Sequence, residues 1–486
     1  MDKPVEVFDR EWEWAALADF VSDPVLNATL GIVTGRRRQG KTLLLQELCT
    51  AAGGFYFAAT EATTAESLRL LAEAHAEFAK LPAPLALGSW EQAIDILLAL
   101  GDDRPDGIPV VLDEFPYLCR AAPALPSIIQ KALGPRRAER LRSRTRLILC
   151  GSAMSFMGQL LSGSAPLRGR AGLELTVPTF DPRTAAAFWG IEDWALALRV
   201  HAVVGGTPAY RREYVSSDAP RNGGDFDDWV CRTVLNPASP LNREARYLLA
   251  EEVDIRDPAL YHSVLAAVAG GHSTRGAIAS YVGRPADTLR HPITVLEDAG
   301  LLARENDALR GSRSWYRIAE PLITFYHVVM RPEWSRLERP GNAAAVWADA
   351  ADRFGSQVVG PHFKQLCRWW TRTHAAPETL GGRALQVAAG GVNDVRDRAV
   401  HEIDVVATDH SGQILALGEA KAGVTMGQRH LDRLRHVRQL LAAQGRCTDQ
   451  ARLVCYSAAG FTAELRAADG REEVVLVDLE RIYTGS

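Results

Sequence analysis

A loop near the start of the sequence has the residue types that bind nucleotide phosphates. The loop 35–42, GRRRQGKT, follows an apolar strand-like run at 30–34 and precedes a helix-like run. Its glycines allow backbone N–H groups to face phosphate oxygens, Lys41 reaches the β- and γ-phosphates, and Thr42 offers a hydroxyl to Mg²⁺. The positive end of the following helix dipole points at the anion. This spacing predicts a nucleotide site with ATP and Mg²⁺ as cofactors.

Two acids that end the apolar run 108–114 complete this predicted site. Asp113 is placed to hold Mg²⁺ through water, and Glu114 to orient or deprotonate the attacking water. Ser152 ends the run 147–152 and is either a polar sensor on a neighbouring strand or part of an ordinary turn. The catalytic candidates are Lys41 and Glu114, and the metal ligands are Thr42 and Asp113. The full set that binds the cofactor is predicted to be Gly35, Gln39, Gly40, Lys41, Thr42, Leu43, Asp113 and Ser152.

A second group of charged residues has the types that bind a divalent metal. Asp404 lies in one apolar strand-like run, and Glu419 and Lys421 end the next. Residues two apart in a strand point the same way, and antiparallel pairing of the runs would bring Asp404 near the other two. Asp404 and Glu419 are then ligands for Mg²⁺ or Mn²⁺, and Lys421 activates water or stabilises transition-state charge. All three are catalytic candidates, Glu402 is a further ligand candidate, and a solvated ion pair is the alternative.

Alternating secondary-structure elements must position both groups. Continuous apolar runs separated by helix-like runs are typical of a parallel sheet covered on both faces. In the first part of the sequence these runs lie at 30–34, 55–60, 108–114, 147–152 and 173–180. Residues 258–318 contain three helix-like runs and then two strand-like runs, which is the order of a winged helix-turn-helix. A final α/β segment begins near residue 356.

Composition narrows the class of protein. The chain has 486 residues, of which 47% are hydrophobic and 23% charged, so a disordered chain, a fibre and a small disulfide scaffold are excluded. At roughly 100–200 residues per domain, about three domains are expected. The seven scattered cysteines, the polar start and the lack of an apolar run of about 20 residues predict a cytoplasmic protein with no membrane partner.

Arginine supplies nearly all of the positive charge, and the net charge of −4 gives no global basic field. Only six of the 55 basic residues are lysines, and two of these, Lys41 and Lys421, fall in the two motifs. The arginine-rich stretches 134–146 and 428–441 are either solvated helix faces or surfaces for a subunit or a nucleic acid. Arg168 and Arg170 are candidates for a γ-phosphate finger or an interface.

The motifs between residues 5 and 330 resemble those of archaeal-type ATPases, a P-loop group near the AAA+ and STAND NTPases. The segments FDREWEW, GRRRQGKT, VVLDE, LILCGS, PLRGR and GGTPAY occur in the order which that family shows. The resemblance implies an ASCE-type ATPase core, a helical lid and a winged helix.

The stretch 356–486 resembles the PD-(D/E)xK nuclease-like domain that accompanies this family, because Asp404, Glu419 and Lys421 fit its D…E-x-K pattern. Related domains usually present a glutamate on the first helix, where this sequence has Lys364. The departure implies either that Glu402 substitutes for that acid or that cleavage is lost while the fold still binds nucleic acid.

Together these features predict an α/β multidomain protein. The predicted parts are a P-loop ASCE core with a parallel sheet (1–182), a helical lid (183–256), a winged helix (257–318), a helical connector (319–355) and a restriction-endonuclease-like domain (356–486). The predicted function is an ATP-hydrolysing protein that acts on DNA and carries a metal-dependent nuclease domain regulated by the ATPase. Resemblance alone suggests genome defence or mobile-element biology.

Two alternatives remain, both with a catalytically silent nuclease-like domain. One is an ATP-switched DNA-binding regulator, and the other is a signalling NTPase that forms a homo-oligomer through its ATPase domain. The stretch 257–317 holds seven arginines and six acids, which argues against a simple transcription factor and leaves open a role in domain packing.

Overall fold

The computed structural model describes residues 1–250, 257–394, 396–470 and 474–485. The chain divides into two compact units, Met1–Thr179 and Phe180–Leu249 with Asp257–Ser486. The five-part division stays a prediction; the end of the predicted lid, 251–256, lies outside the described residues. Over the described part of the chain, no helix combines the length and the apolar character needed to cross a membrane.

The first unit is built on a five-stranded parallel sheet. Its strands are β1 (Thr29–Thr34), β2 (Phe55–Ala58), β3 (Ile108–Asp113), β4 (Thr145–Gly151) and β5 (Ala171–Thr176). They lie in the order β2-β3-β4-β1-β5, and every neighbouring pair is parallel. The architecture is consistent with a P-loop ATPase fold and confirms the parallel sheet predicted from the apolar runs.

Helices cover both faces of this sheet. They span Glu11–Ser22, Lys41–Ala52, Thr64–Phe78, Trp90–Ala99, Phe115–Ala121, Leu125–Ala132, Ala138–Arg142 and Met154–Gln159. Successive side chains of a strand point to opposite faces, so Val110 and Leu112 enter one hydrophobic core and Val111 enters the other. Burial on both sides explains why β3 and β4 are apolar along nearly their whole length.

The arginine-rich stretch 134–146 stabilises the first unit itself. Arg146 is fully buried and donates hydrogen bonds to three carbonyl groups in the loop 23–27. Arg137 pairs with Asp95 at 2.8 Å. These contacts favour a structural role for the stretch over a surface for nucleic acid.

The second unit begins with helices at Pro182–Trp189, Trp194–Val204, Tyr210–Tyr214, Phe226–Arg232 and Pro240–Ala250. Three helices then precede an antiparallel two-stranded sheet of β6 (Leu302–Asn306) and β7 (Ser314–Ile318). Those three helices are Pro258–Ala269, Arg275–Val282 and Arg290–Asp298, with a 3₁₀ turn at Ala286–Leu289. The element order agrees with the sequence pattern, and its identity as a winged helix stays a prediction.

A second group of helices leads to the C-terminal sheet. It comprises Pro321–Phe325, Tyr326–Met330, Arg331–Glu333, Trp334–Leu337, Ala343–Arg353, Phe354–Val359, Gly360–Thr373 and Pro377–Leu380. We call Gly360–Thr373 the Lys364 helix, because that residue lies on it. Shorter helices at Ala463–Arg466 and Leu479–Thr484 come later in the chain.

The C-terminal sheet has five strands in mixed directions. They are β8 (Gln386–Asp394), β9 (Ala399–Thr408), β10 (Ile414–Lys421), β11 (Arg452–Ser457) and β12 (Val474–Asp478). They lie in sequence order, with β8, β9 and β10 antiparallel and β10, β11 and β12 parallel. Residues 471–473, directly before β12, lie outside the described residues.

Two helices enclose this sheet through separate hydrophobic cores. Phe363 of the Lys364 helix packs in one core with Val405 of β9. Leu434 of the helix Gln428–Ala443, which we call the arginine-rich helix, packs in the other with Leu417 of β10. The α/β segment predicted after residue 356 is therefore present.

Candidate nucleotide site and carboxylate–lysine site

The predicted phosphate-binding loop leaves β1 and enters the helix Lys41–Ala52. Gly35 has a φ of 145° and Gly40 a φ of 87°, backbone conformations that other residues rarely adopt. A Cβ atom on Gly35 would also lie 2.5 Å from the carbonyl oxygen of Val177. Both glycines of the motif are thus needed for the turn from strand to helix.

Lys41 lies folded over this loop. Its Nζ donates hydrogen bonds to the carbonyl oxygens of Gly35 at 2.6 Å and Arg36 at 2.8 Å. The side chain is buried, and this burial lowers the pKa of Lys41 from its ordinary value. Gln39 is also buried, and Leu43 is half-buried in the first turn of the helix. The ammonium group is therefore held against the backbone that the motif assigns to phosphate.

Thr42 and Asp113, the predicted Mg²⁺ ligands, are in direct contact. The Thr42 hydroxyl donates a hydrogen bond of 2.9 Å to Asp113 Oδ2, and the Tyr56 hydroxyl donates one of 2.6 Å to the same oxygen. Burial by itself raises the pKa of Asp113, but four hydrogen bonds outweigh burial and lower it. Their donors are Cys150, Tyr56, Thr42 and the backbone N–H of Glu114. Asp113 is thus an ionised carboxylate at neutral pH, which suits a Mg²⁺ ligand.

Glu114 and Ser152 meet at the ends of β3 and β4. Glu114 has a φ of 51°, in the left-handed region that costs a non-glycine residue about 1 kcal/mol or more. The Ser152 hydroxyl lies 3.2 Å from both carboxylate oxygens of Glu114 and accepts a hydrogen bond of 3.2 Å from Arg37. The predicted catalytic acid and the predicted sensor are therefore adjacent, and Arg37 of the loop links them to the phosphate-binding backbone.

Arg168 and Arg170 are exposed on the first unit. Arg168 donates a hydrogen bond of 2.7 Å to the carbonyl of Gly163 in its own turn. A role as a γ-phosphate finger or at a subunit interface stays a prediction for both residues.

The carboxylate–lysine group is brought together in the second unit by antiparallel pairing of β9 and β10. Gly418 pairs with Val405, so the next residue along each strand, Glu419 and Asp404, stand side by side. Asp404 Oδ2 accepts a hydrogen bond of 3.0 Å from the backbone N–H of Ala420. Both carboxylates are buried, with exposed fractions of 6% for Asp404 and 3% for Glu419. The spatial arrangement is the one that the sequence pattern predicts.

Basic side chains occupy the free oxygens of both carboxylates. Lys364 Nζ lies 2.6 Å from Asp404 Oδ1, and Lys421 Nζ lies 2.8 Å from Glu419 Oε1. Arg433 of the arginine-rich helix pairs with the second oxygen of Glu419. The lysine at the position where the family pattern has an acid thus binds the predicted metal ligand directly.

Other charges near this group have more limited roles. Glu402 is exposed, and its backbone carbonyl accepts a hydrogen bond of 2.7 Å from Arg433. Arg435 pairs with Asp432 on its own helix at 3.1 Å, whereas Arg429 is exposed. Part of the positive charge of the arginine-rich helix is therefore paired with acids of the same unit. This pairing favours a solvated helix face over a surface for nucleic acid.

Comparisons with known proteins give distant relatives. No protein-family model matches the chain. An uncharacterized protein of Methanocaldococcus jannaschii is 25% identical over 337 residues, which are 68% of this chain and 70% of that protein. This relative carries no assigned activity that bears on either site.

Several solved structures of archaeal proteins are similar to this chain. A Walker-type ATPase of Pyrococcus abyssi has a TM-score of 0.48 and 19% identity, and covers 66% of this chain and 96% of its own. The ORC2 protein of Aeropyrum pernix, in ADPNP and ADP complexes, has a TM-score of 0.43 and 16% identity, with 72% and 96% covered. Cdc6p of Pyrobaculum aerophilum has a TM-score of 0.32 and 14% identity, with 69% and 96% covered. At these TM-scores the likenesses carry no argument about function, which rests on this chain's own residues.

Three residues at the candidate nucleotide site were not predicted. Tyr56 of β2 and Cys150 of β4 donate hydrogen bonds to Asp113. Only the order of strands in the sheet shows that these two residues lie beside Asp113. Arg10 is buried, and its guanidinium donates to the carbonyls of Gln39 in the loop and Pro178 after β5, at 3.4 and 2.7 Å. The motif FDREWEW was the signal that could have identified this arginine.

Replacing Arg10 by methionine is expected to destabilise the first unit by about 3–5 kcal/mol. Arg10 pairs with Glu13 at 3.0 Å, and Glu13 is only 7% exposed. The variant therefore leaves the buried carboxylate of Glu13 without this cation. Urea unfolding followed by tryptophan fluorescence would measure the loss. The double variant Arg10→Met/Glu13→Leu should regain part of it, because no buried charge remains. Equal stability of the two variants would show that the ion pair has no such role.

Proposed function

We propose that this chain binds ATP with Mg²⁺ and hydrolyses it in its first unit. The observation that carries the proposal is the 2.9 Å hydrogen bond between Thr42 and Asp113, beside a glycine loop that holds Lys41. A hydroxyl and an ionised carboxylate are oxygen donors of the kind that Mg²⁺ prefers. The ion would neutralise charge on the β- and γ-phosphates when bound.

Each side chain has a definite task in this proposal. The backbone of the loop and Lys41 bind the phosphates, and this lysine exchanges its carbonyl partners for phosphate oxygens. Glu114 orients the attacking water and accepts its proton. Ser152 and Arg37 hold the carboxylate of Glu114 beside the loop.

DNA is the proposed macromolecular partner, through the second unit. The order of three helices and an antiparallel ribbon supports a winged helix, and the sheet β8–β12 with its buried acids supports a nuclease-like domain. Anisotropy of a labelled DNA duplex, titrated with the full chain at fixed salt, tests this partner. We expect saturable binding whose affinity differs between ATP and ADP. Absence of binding to duplex and single strands in either nucleotide would refute it.

For the carboxylate–lysine site we propose contact with nucleic acid without cleavage. Two carboxylates face three cations, Lys364, Lys421 and Arg433, so the group as a whole is positive. A dication entering this group would add like charge and would have to displace at least one ion pair. A phosphate would meet opposite charge instead. The ion pair of Lys364 with Asp404 is the observation that favours this alternative over a working nuclease.

The wild-type chain is therefore expected to nick DNA no faster than its Glu419→Ala variant. The comparison uses supercoiled, linear and single-stranded DNA with Mg²⁺ or Mn²⁺, in the presence and absence of ATP. Electrophoresis of the products measures cleavage, and circular dichroism checks that both proteins are folded. Metal-dependent nicking by the wild type that disappears in Glu419→Ala would instead establish a nuclease.

A further inference from the structure

Three side chains outside both sites converge where β8 ends and β9 begins. Asp394 ends β8, His401 lies on β9, and His436 projects from the arginine-rich helix. One ligand atom from each lies within 4.8 Å of the other two. The sheet register explains part of the convergence: Asp394 pairs with Ala399, so His401 is its diagonal neighbour on the same face.

The distances in this group are close to those of a metal centre. His436 Nε2 lies 3.1 Å from Asp394 Oδ2, and His401 Nε2 lies 3.7 Å from the same oxygen. Tetrahedral Zn²⁺ with bonds of about 2.0–2.2 Å separates neighbouring ligand atoms by about 3.3–3.5 Å. The two histidine–aspartate distances lie on either side of this separation, and all three ligand atoms lie within 4.8 Å of one another.

The Asp394 carboxylate is already oriented for this role. Its Oδ1 accepts backbone hydrogen bonds from Arg396 at 2.9 Å and Asp397 at 3.2 Å, which leaves Oδ2 directed at the histidines. The aspartate is 3% exposed, so its carboxylate is shielded from solvent. Hydrogen bonds to the second oxygen of a ligating carboxylate are a usual feature of protein metal sites.

His401 supplies an independent observation. Its Nε2 is buried and has no hydrogen-bond partner among the described residues. At 3.7 Å, Asp394 is too far for a hydrogen bond, and an unpaired buried nitrogen costs free energy. A metal bonded to this nitrogen removes that cost.

We propose that Asp394, His401 and His436 form a binding site for a divalent transition metal, with Zn²⁺ as the best fit. Two imidazoles and one carboxylate are a zinc donor set, whereas the oxygen-rich sites of Mg²⁺ and Ca²⁺ rarely use imidazole. The three residues leave a fourth position for water, and the His436 side chain, 44% exposed, keeps that side accessible to solvent.

Metal binding would link three elements of the second unit. It would join the β8–β9 hairpin to the arginine-rich helix, on which Arg433 precedes His436 by one turn. Arg433 pairs with Glu419, so the metal would also fix the helix that contacts the carboxylate–lysine site. The site is distinct from that group, because it shares no ligand with it.

Calorimetric titration of the metal-free, tag-free full chain with ZnSO₄ tests the proposal. We expect one Zn²⁺ per chain at this site, with affinity lowered by at least about 100-fold in His401→Ala and in His436→Ala. The control His410→Ala removes an exposed histidine from the next turn and should bind as the wild type does. Glu419→Ala should also bind normally, which separates this site from the carboxylate–lysine group.

A second measurement, the unfolding temperature, distinguishes loss of the metal site from unfolding of a variant. Zn²⁺ should raise the unfolding temperature of the wild type and of His410→Ala, but not that of His436→Ala, which lacks one of the proposed ligands. Co²⁺ should give the visible absorption of a low-coordinate site in the wild type only. Zinc affinity equal in the wild type and both ligand variants, or no zinc binding at all, would overturn the proposal and leave a histidine–aspartate hydrogen bond.

Discussion

The Glu114→Gln variant is expected to hydrolyse ATP at least about 100-fold more slowly than the wild type while it still binds ATP with Mg²⁺. Glutamine has the same shape and can keep the hydrogen bond from Ser152, but it cannot take a proton from water. Phosphate release gives the turnover, and a fluorescent ATP analogue gives the affinity.

The matched control for this variant is Glu91→Gln, which changes an exposed glutamate of the same unit in the first turn of its helix. Its turnover should equal that of the wild type. Unchanged turnover in Glu114→Gln would remove this residue from the catalytic role.

The Lys41→Ala variant should bind Mg²⁺–ATP about 10–100-fold more weakly and show no measurable turnover. A charge-assisted hydrogen bond contributes about 1.5–3 kcal/mol, and each 1.4 kcal/mol is a factor of ten in affinity. Lys41 is buried above the loop, where its charge is poorly screened, so its attraction for a phosphate is strong.

Lys131→Ala serves as the control, because Lys131 is an exposed lysine of the same unit. Its affinity and turnover should match those of the wild type. Wild-type affinity in Lys41→Ala would place the nucleotide elsewhere in the chain.

Local sequence predicted the strands of the first unit and the positions of its motif residues. Apolar runs such as 108–114 and 147–152 become β3 and β4 because burial on both faces demands continuous apolar side chains. The order of the strands was not predictable from these runs. An apolar strand does not specify its neighbour, so the sequence alone could not show that β4 separates β1 from β3.

Because local sequence does not specify the strand order, it also did not predict some residues of the candidate nucleotide site. Thr42 and Asp113 were predicted as Mg²⁺ ligands because each belongs to a recognisable local motif. In the structure the two side chains are in contact. Tyr56 contacts Asp113 only because β2 pairs with β3, and no pattern around Tyr56 indicates this. Long-range pairings of this kind come from the sheet as a whole.

In the second unit the sequence predicted that Asp404 and Glu419 are neighbours, but not which basic side chains pair with them. Antiparallel pairing of β9 and β10 places Asp404 beside Glu419, as the spacing indicates. The family pattern marked Lys364 as a departure, but only the packing of its helix against β9 shows that it pairs with Asp404. His436 joins Asp394 and His401 through the same kind of packing, from the opposite face of the sheet.

The most direct test of the central claim is the rate of phosphate release from ATP by the full chain, with and without Mg²⁺ and double-stranded DNA. We expect turnover that requires Mg²⁺, rises when DNA is added, and is absent from Lys41→Ala under every condition. Turnover that is absent from the wild type, or equal in the wild type and Lys41→Ala, would contradict it.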